Sequence, residues 1–349
     1  MAQLNVHGGD IYSLDCRLDF SANTNPMGMP EAVARAACES IASAEHYPDT
    51  RCRKLRRALA LHHRVPEDRM IFGNGAAELI YGLIFALKPK KSLLAVPSFA
   101  EYEEALQMCG CGIEYYELKE ENTFALQEDY LAHITEEIDL IFLCNPNNPT
   151  GVMIEPQLLS RIADRCHEKH VTMILDECFL ELTGQAHLRS MIRRLEDTPE
   201  LFILRAFTKS FAMAGLRLGY GMCSDTELLA SVKRYIQPWS VSVPAQEAGL
   251  AAVTECDGYL EESRALIERE RMFLMSDMRR LGLHVFPGEA NYLFFKGPEG
   301  LAEKCRAQGI LIRDCGNYVT LRPGYYRVAV RTHEENEELI RTLKEVLQF

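Results

Sequence analysis

The sequence predicts an α/β protein in which a large domain with a mostly parallel central sheet is followed by a smaller α+β C-terminal domain. Between residues 70 and 223, short apolar runs typical of buried strands alternate with segments typical of helices. From residue 225 onward, long helical patterns and short strands replace this alternation. The 349 residues suffice for one large and one smaller core. We expect an N-terminal arm at residues 1–26 that joins the small domain, a large domain at 27–250 and a small domain at 251–349.

The arm carries glycine and asparagine rather than a periodic pattern, and helices are predicted after it at residues 31–44 and 51–63. In the alternating part, the predicted strands cover residues 70–72, 92–96, 112–118, 139–144, 171–175, 201–204 and 219–223, with helices at 76–87, from 97 onward and at 156–169. Ligands of such sheets gather at the carboxyl ends of the strands. We therefore expect the motifs that follow these strands to form one site.

The C-terminal part shows helical patterns at residues 225–236, 245–281 and 334–348, and strands at 283–286, 291–295, 310–313 and 326–330. The pattern over residues 245–281 predicts a single helix, long enough to link the two domains.

Charge and composition exclude several classes of protein. A net charge of −12 opposes sequence-independent binding of nucleic acid. The longest apolar runs, such as residues 79–87, are too short to cross a bilayer, and the first residues lack the pattern of a signal peptide. We expect a cytoplasmic protein with reduced cysteines. Cys166, His167 and His170 lie on a charged helix end, where solvated side chains are expected rather than a metal site, so no metal is predicted.

The most informative stretch is residues 204–220, which places Lys209 among four large apolar side chains. A lysine in such surroundings loses hydration, so that its pKa falls and its neutral amine can attack a carbonyl group. Arg217 follows eight positions later, and its planar charged group suits a phosphate. The alternative is a surface lysine and a surface arginine beside a buried segment.

Three further motifs follow predicted strands. The turn at residues 73–77 opens a helix and offers backbone N–H groups to a phosphate, although ordinary capping also explains it. Asp176 could pair with a protonated pyridine nitrogen or cap the next turn. Asn148, within residues 145–151, could donate to a phenolate oxygen or serve the turn itself. Together with Lys209, these motifs describe a pyridoxal-phosphate site.

With these motifs the chain resembles, from His7 nearly to its C-terminus, the fold-type I pyridoxal-phosphate enzymes of the aspartate-aminotransferase superfamily. Within that superfamily it is similar to histidinol-phosphate aminotransferases and, more closely, to L-threonine-O-3-phosphate decarboxylases. The resemblance implies pyridoxal 5'-phosphate as cofactor and a homodimer with shared sites. It implies that Lys209 forms the Schiff base, Asp176 meets the ring nitrogen and Asn148 the ring oxygen. The other cofactor-binding residues that it implies are Gly75, Ala76, Ala77, Thr208 and Arg217 at the phosphate, Phe99 on the ring, and Tyr47 at the cofactor phosphate of the neighbouring subunit.

One residue departs from the family pattern. Phe179 follows Asp176 where aminotransferases usually carry a tyrosine whose hydroxyl reaches the ring oxygen. Asn148 is then expected to bear that contact alone, which is compatible with a decarboxylase.

The reaction depends on which bond at Cα stands perpendicular to the cofactor ring. CO₂ leaves if this is the bond to the carboxylate, and transamination follows if it is the bond to hydrogen. Arg313, Arg327 and Arg331 resemble the family's substrate-anion arginines and suit a doubly anionic amino-acid phosphate ester.

Three stretches resemble the decarboxylase subfamily: residues 7–10, residues 19–28, and residues 314–318 with 324–331. The resemblance places His7 and Asn23 near the substrate phosphate or carboxylate. It implies conversion of L-threonine O-3-phosphate to (R)-1-amino-2-propanol O-2-phosphate for cobalamin biosynthesis. Two alternatives stay open: an aminotransferase acting on histidinol phosphate or an aromatic amino acid, and a catalytically silent regulator that binds pyridoxal phosphate. The choice between threonine phosphate and serine phosphate is also open, since one methyl group changes discrimination by only about 1–3 kcal/mol.

Overall fold

The computed structural model describes residues 7–12, 16–184 and 186–348, so residues 1–6 and 13–15 of the predicted arm lie outside the described residues. In chain order the strands are β1 (Leu18–Asp19), β2 (Met70–Asn74), β3 (Lys91–Val96), β4 (Gly112–Glu117), β5 (Leu140–Cys144), β6 (Thr172–Asp176), β7 (Leu201–Ala206), β8 (Leu218–Met222), β9 (His284–Val285), β10 (Tyr292–Lys296), β11 (Ile310–Leu311), β12 (Arg313–Asp314) and β13 (Tyr325–Ala329). The α-helices are α1 (Glu31–Ser40), α2 (Arg53–His63), α3 (Gly75–Leu87), α4 (Ala100–Met108), α5 (Tyr130–His133), α6 (Pro156–Lys169), α7 (Ala186–Arg189), α8 (Phe207–Ser210), α9 (Thr226–Lys233), α10 (Val243–Thr254), α11 (Tyr259–Arg280), α12 (Leu301–Ala307) and α13 (His333–Leu347).

Seven of these strands form the central sheet, in the order β2-β8-β7-β6-β5-β3-β4. Strand β8 is antiparallel to both β2 and β7, whereas every pair from β7 to β4 is parallel. The predicted mostly parallel sheet is confirmed. Parallel pairing brings the carboxyl ends of β3, β5, β6 and β7 to one edge, where the predicted motifs follow.

Both faces of the central sheet are buried, as the apolar runs require. Along β5, Leu140 and Phe142 pack into one hydrophobic core, while Ile141 and Leu143 pack into another on the opposite face. This alternation follows from the two-residue period of a strand. Each fully buried side chain of this size contributes about 1.5–3 kcal/mol to stability. The sheet therefore holds the site on a rigid base.

A second, antiparallel sheet has the order β12-β13-β10-β9 and covers a third core, to which Leu274 of α11 and Leu339 of α13 contribute. The arm joins this part of the chain, because β1 pairs in parallel with β11. The predicted boundary at residue 250 falls within α10, and the division into domains stays a prediction.

The predicted single helix over residues 245–281 is wrong. The structure has two helices there, α10 and α11, and Gly258 stands between them with a φ of +78°. Glycine adopts this left-handed conformation without the steric cost that other residues meet, and it disfavours a helix interior.

Two global features complete the description. Among the described residues, no helix combines the length and the apolar character needed to cross a membrane. All twelve cysteines lie in the described part of the chain, and none forms a disulfide.

Candidate active site

A cavity of about 330 Å³ lies at the carboxyl ends of β5, β6 and β7. Its size falls in the range of small-molecule sites, about 300–1,000 Å³. Loops of the central sheet, the arm and the antiparallel sheet all contribute to its wall. The predicted site residues on this wall are His7, Asn23, Ala76, Ala77, Phe99, Asn148, Asp176, Thr208, Lys209, Arg217, Arg313 and Arg327.

Lys209 lies in the short helix α8, which follows β7 directly. Burial is the main cause that lowers its pKa to about 8, and the charges of Arg327 and Arg217 lower it further, against the opposing effect of Asp176. Its Nζ atom lies 5.7 Å from the centre of the Phe179 ring. A lowered pKa leaves more neutral amine near pH 7, so Lys209 is suited to attack an aldehyde.

Asp176 ends β6 and is 6 % exposed. Its Oδ2 atom accepts a hydrogen bond from the Tyr102 hydroxyl at 2.6 Å, and its Oδ1 atom accepts one from the backbone N–H of Cys178 at 2.8 Å. Tyr102 is fully buried and stacks on Phe142, with ring centroids 4.6 Å apart. Hydrogen bonds to an ionised acceptor contribute about 1.5–3 kcal/mol. They fix the carboxylate in one orientation at the cavity.

A group of residues that we call the phosphate cradle, Gly75, Ala76, Ala77, Thr208 and Arg217, lies around the start of α3. Gly75 has a φ of +76°, and a Cβ atom there would lie 2.5 Å from Arg217 Nη2. The first N–H groups of an α-helix have no partner within the helix and carry its positive dipole end. With the Arg217 guanidinium beside them, they are suited to a phosphate.

Arg327 connects the predicted cofactor and substrate residues. Its Nη1 group donates to Asn148 Oδ1, and its Nη2 group donates to the backbone oxygen of Ser21 at 2.9 Å. With its amide oxygen toward the guanidinium, Asn23 accepts from Arg327 Nε at 3.0 Å. Because Asn148 accepts through its oxygen, its NH₂ group is left as the donor for a ligand. That is the group needed for the predicted contact with a ring oxygen.

Arg313 and Arg327 face each other as register partners on β12 and β13. Both are buried, at 8 % and 6 % exposure. Arg313 donates to Asn317 Oδ1 at 3.0 Å and lies 5.3 Å from the centre of the Tyr318 ring. Within the described residues, the hydrogen-bond partners of the two guanidinium groups are amide and backbone oxygens, and neither arginine forms an ion pair with a carboxylate. Like charges directly opposite on neighbouring strands destabilise each other, and buried cations need a counter-charge. The pair is therefore suited to bind an anion.

Three predicted residues, Gly75, Arg331 and Tyr47, are not among those that line this cavity. Gly75 stands beside the Arg217 guanidinium in the phosphate cradle. Arg331 lies beyond the end of β13 and donates to Glu335 Oε1 at 2.8 Å and to the backbone oxygen of Asp19 at 3.2 Å. Tyr47 is 79 % exposed and stacks on Trp239, with ring centroids 4.5 Å apart. The roles assigned to them, like those of the residues on the wall, stay predictions.

The cavity wall also contains residues to which the sequence analysis assigned no role, among them Glu101, Tyr102 and Tyr318. Glu101 and Tyr102 follow Phe99 in the first turn of α4, where an acidic residue is ordinary helix chemistry. The signal available was their position just after the end of β3, at the edge of the sheet where the other motifs meet.

One group of possible metal ligands occurs within the described ranges, outside this cavity: His62, His63 and Glu181, with ligand atoms within 4.8 Å of one another. Glu181 already accepts from the Arg205 guanidinium at 3.0 Å. That positive charge opposes a cation, so we propose no metal there.

The donor set fits pyridoxal phosphate. The cavity offers an amine of lowered pKa for the aldehyde, a buried carboxylate for the ring nitrogen and the phosphate cradle for the ester group. Phe99, on the same wall, offers an aromatic face suited to stacking on a flat ring.

Comparisons with known proteins agree with this fit. A family model described as aminotransferase class I and II matches residues 17–343. The threonine-phosphate decarboxylase of Salmonella typhimurium is 40% identical over 359 residues, which cover 99% of this chain and 98% of that protein. A putative threonine-phosphate decarboxylase of Caldanaerobacter subterraneus is 34% identical over 344 residues, covering 97% and 93% of the two chains. The solved structure of the histidinol-phosphate aminotransferase from Clostridium acetobutylicum superimposes with a TM-score of 0.89 at 31% identity, covering 95% of this chain and 99% of the other.

These findings confirm the predicted fold class, cofactor and resemblance. The chain belongs to the aminotransferase class I and II family and is a pyridoxal-phosphate enzyme.

Proposed function

We propose that this chain is a carboxy-lyase that converts L-threonine O-3-phosphate to (R)-1-amino-2-propanol O-2-phosphate and CO₂, a reaction of cobalamin biosynthesis. The observation that carries the proposal is the buried pair Arg313 and Arg327 beside Lys209. Two buried cations that form no ion pair among the described residues suit an amino acid that bears both a carboxylate and a phosphate. The relative from Salmonella typhimurium, similar over nearly the whole chain, supports this reaction.

The chain's residues have separate tasks in this reaction. When bound, the cofactor supplies the electron sink for the bond that breaks at Cα. Asp176, held by Tyr102 and the Cys178 N–H, keeps the ring nitrogen protonated. After CO₂ has left, Cα needs a proton, and the ammonium form of Lys209 donates it from Nζ, since a pKa lowered to about 8 makes this proton easier to release than that of an ordinary lysine.

The two arginines bind different anions in this proposal. Arg327 donates to Asn148, the residue predicted at the cofactor ring, so it is the one to hold the α-carboxylate next to Cα. Arg313 lies on the neighbouring strand and, with His7, binds the phosphate. Because the whole chain has a net charge of −12, these local cations must overcome an unfavourable long-range field.

The experiment is CO₂ release from cofactor-loaded protein supplied with L-threonine O-3-phosphate, with L-serine O-phosphate in parallel. We expect release from at least one of them, and none from Lys209→Ala. The ratio of kcat/KM for the two compounds ranks the substrates. No CO₂ from either would overturn the proposed reaction.

The aminotransferase from Clostridium acetobutylicum gives a specific reason to test a second reaction. If the protein instead forms glutamate from 2-oxoglutarate and histidinol phosphate, it is an aminotransferase and the assignment of the substrate anions must change. Binding of the cofactor without action on any of these compounds would favour the third alternative, a catalytically silent regulator.

The proposal includes a cytoplasmic homodimer in which Tyr47 reaches the cofactor phosphate of the other subunit. Its support is the exposed stack of Tyr47 on Trp239, which lies outside the cavity of its own chain. Mixing Tyr47→Ala chains with Lys209→Ala chains tests it, because only mixed dimers then contain one intact site. We expect activity to rise on mixing and equilibrium ultracentrifugation to give a dimer. A monomer, or no gain on mixing, refutes shared sites.

A further inference from the structure

Glu101 is an acidic residue on the wall of a cavity that is otherwise rich in cations. It is the second residue of α4, and its side chain is 15 % exposed. Its Oε1 atom lies 3.5 Å from His7 Nε2. Its Oε2 atom is buried and, among the described residues, has no hydrogen-bond partner. An ionised carboxylate with one bare, buried oxygen is unfavourable.

The charged groups around Glu101 come from four elements. Lys209 and Arg313 favour its ionised form, as does its own backbone N–H, while Glu104 on the same helix opposes it. His7 of the arm adds a contact at ion-pair distance. Burial outweighs the favourable groups and raises the pKa of Glu101 to about 7. Near neutral pH the side chain thus exists in both forms in the absence of ligand.

A phosphate ester in this cavity shifts the equilibrium between the ionised and the protonated form of Glu101. Its two negative charges repel a carboxylate, whereas its oxygens accept a hydrogen bond from a carboxylic acid. The Oε1 atom is the one that can present the proton to a ligand, because it faces His7, which the proposed function places at the phosphate, whereas Oε2 is closed off from solvent. Binding of a phosphate monoester is then coupled to protonation of the side chain.

We propose that Glu101 binds the phosphate of the substrate as the protonated carboxylic acid, donating from Oε1, and that above neutral pH the binding of a phosphate monoester takes this proton from solvent, about one per site at pH 8. The inference rests on the proposed function in that the substrate is such an ester. Glu101 then makes the site selective for a ligand that accepts this hydrogen bond, and makes its affinity depend on pH.

Glu101→Gln separates the two forms, because the amide keeps a donor of nearly the same shape but does not titrate. Glu103→Gln is the matched control on the same helix, since the Glu103 carboxylate accepts from Gln107 and Tyr115 on the exposed side. If only the protonated form binds, apparent affinity in the wild type falls about tenfold between pH 6 and pH 8 relative to Glu101→Gln. The phosphate's own ionisation near pH 6 affects all three proteins alike and cancels in this ratio.

Two measurements test the proposal. The first is KM for L-threonine O-3-phosphate from pH 6 to pH 8.5. We expect KM to rise above pH 7 in the wild type and in Glu103→Gln relative to Glu101→Gln. The second is calorimetry of the cofactor-loaded proteins with propan-2-yl phosphate, which has no amine and cannot react with the cofactor. In buffers of different ionisation enthalpy at pH 8, the wild type should take up about one proton more per site than Glu101→Gln.

The calorimetric result stands even if the proposed reaction is wrong. Absence of CO₂ release rejects the decarboxylase assignment, whereas equal proton uptake by the wild type and Glu101→Gln, or no binding of the ester by the wild type, rejects the role of Glu101. A parallel loss of affinity with pH in both proteins rejects it as well.

Discussion

Replacing Gly75 by alanine should weaken cofactor binding while leaving the fold intact. An alanine Cβ at this position would lie 2.5 Å from Nη2 and 3.1 Å from Cζ of Arg217. The clashing atoms are the far end of a flexible side chain, so the guanidinium moves and the backbone stays. Since Arg217 belongs to the phosphate cradle, its displacement removes a cation from the place where the cofactor phosphate is expected.

The magnitude has two separate parts. A non-glycine residue at a φ of +76° costs about 1–2 kcal/mol of folding free energy. The displaced guanidinium loses a charge-assisted hydrogen bond to the phosphate, about 1.5–3 kcal/mol, which corresponds to a roughly 10- to 150-fold weaker cofactor affinity. The strain at residue 75 lowers the free energy of unfolding, whereas the lost hydrogen bond appears only in the affinity for the cofactor.

The assay is a titration of the cofactor-free protein with pyridoxal phosphate, followed by absorbance, together with urea unfolding. Gly110→Ala is the matched control, because Gly110 has the same φ of +76° and no described atom within 4 Å of an added Cβ. We expect both variants to lose similar stability and only Gly75→Ala to lose cofactor affinity. Wild-type affinity in Gly75→Ala, or an equal loss in the control, would refute the reasoning.

Three further predictions concern buried charge. Lys209→Met should raise the free energy of unfolding of the cofactor-free protein by about 3 kcal/mol at pH 7, because the lysine is charged there at a pKa lowered from 10.5 to about 8. Between pH 8 and pH 10.5 the unfolded chain binds more protons than the folded one, so the wild type gains stability as the pH rises. The difference in free energy of unfolding between Lys209→Met and the wild type should therefore shrink. Urea unfolding at pH 7 and pH 10 contradicts this if the difference is the same at both pH values. Glu177→Gln should lower the free energy of unfolding by about 3 kcal/mol in the same assay at pH 7, since it removes a charge partner 2.8 Å from the buried Arg205 guanidinium. A loss under 1 kcal/mol would contradict this prediction. Tyr102→Phe should lower the free energy of unfolding by about 1–3 kcal/mol and weaken cofactor binding, because Asp176 loses a hydrogen-bond donor. Unfolding and cofactor-titration curves equal to those of the wild type would contradict this prediction.

The sequence could predict the sheet and the groups at its edge because both depend on local pattern. Short apolar runs predict buried strands, and the residue that ends a parallel strand lies at the edge of the sheet where ligands bind. Asp176 is the last residue of β6, and Lys209 lies in α8 directly after β7, so their position needed no knowledge of distant contacts. The same reasoning placed Asn148 after β5.

Other features depend on contacts between residues far apart in the chain. The bond from Tyr102 to Asp176 joins residues 74 positions apart. Glu101 in the first turn of α4 has an ordinary local explanation, and only the cavity shows that its carboxyl group lies among cations. The interruption at Gly258 was missed because a single glycine is also tolerated inside a helical pattern, and only the structure shows its φ of +78°.

The three substrate arginines that the resemblance implied illustrate the limit most clearly. Arg313 and Arg327 owe their pairing to the register of β12 and β13, which turns both toward the cavity. Arg331 lies four residues after Arg327, but β13 ends at Ala329 and the alternation of the strand ends with it. Instead, the start of α13 positions Glu335, and Arg331 joins that carboxylate to the backbone of the arm. Its predicted contact with the substrate stays a prediction; the contacts it makes hold the arm, which carries the Asn23 amide to Arg327, against the C-terminal helix.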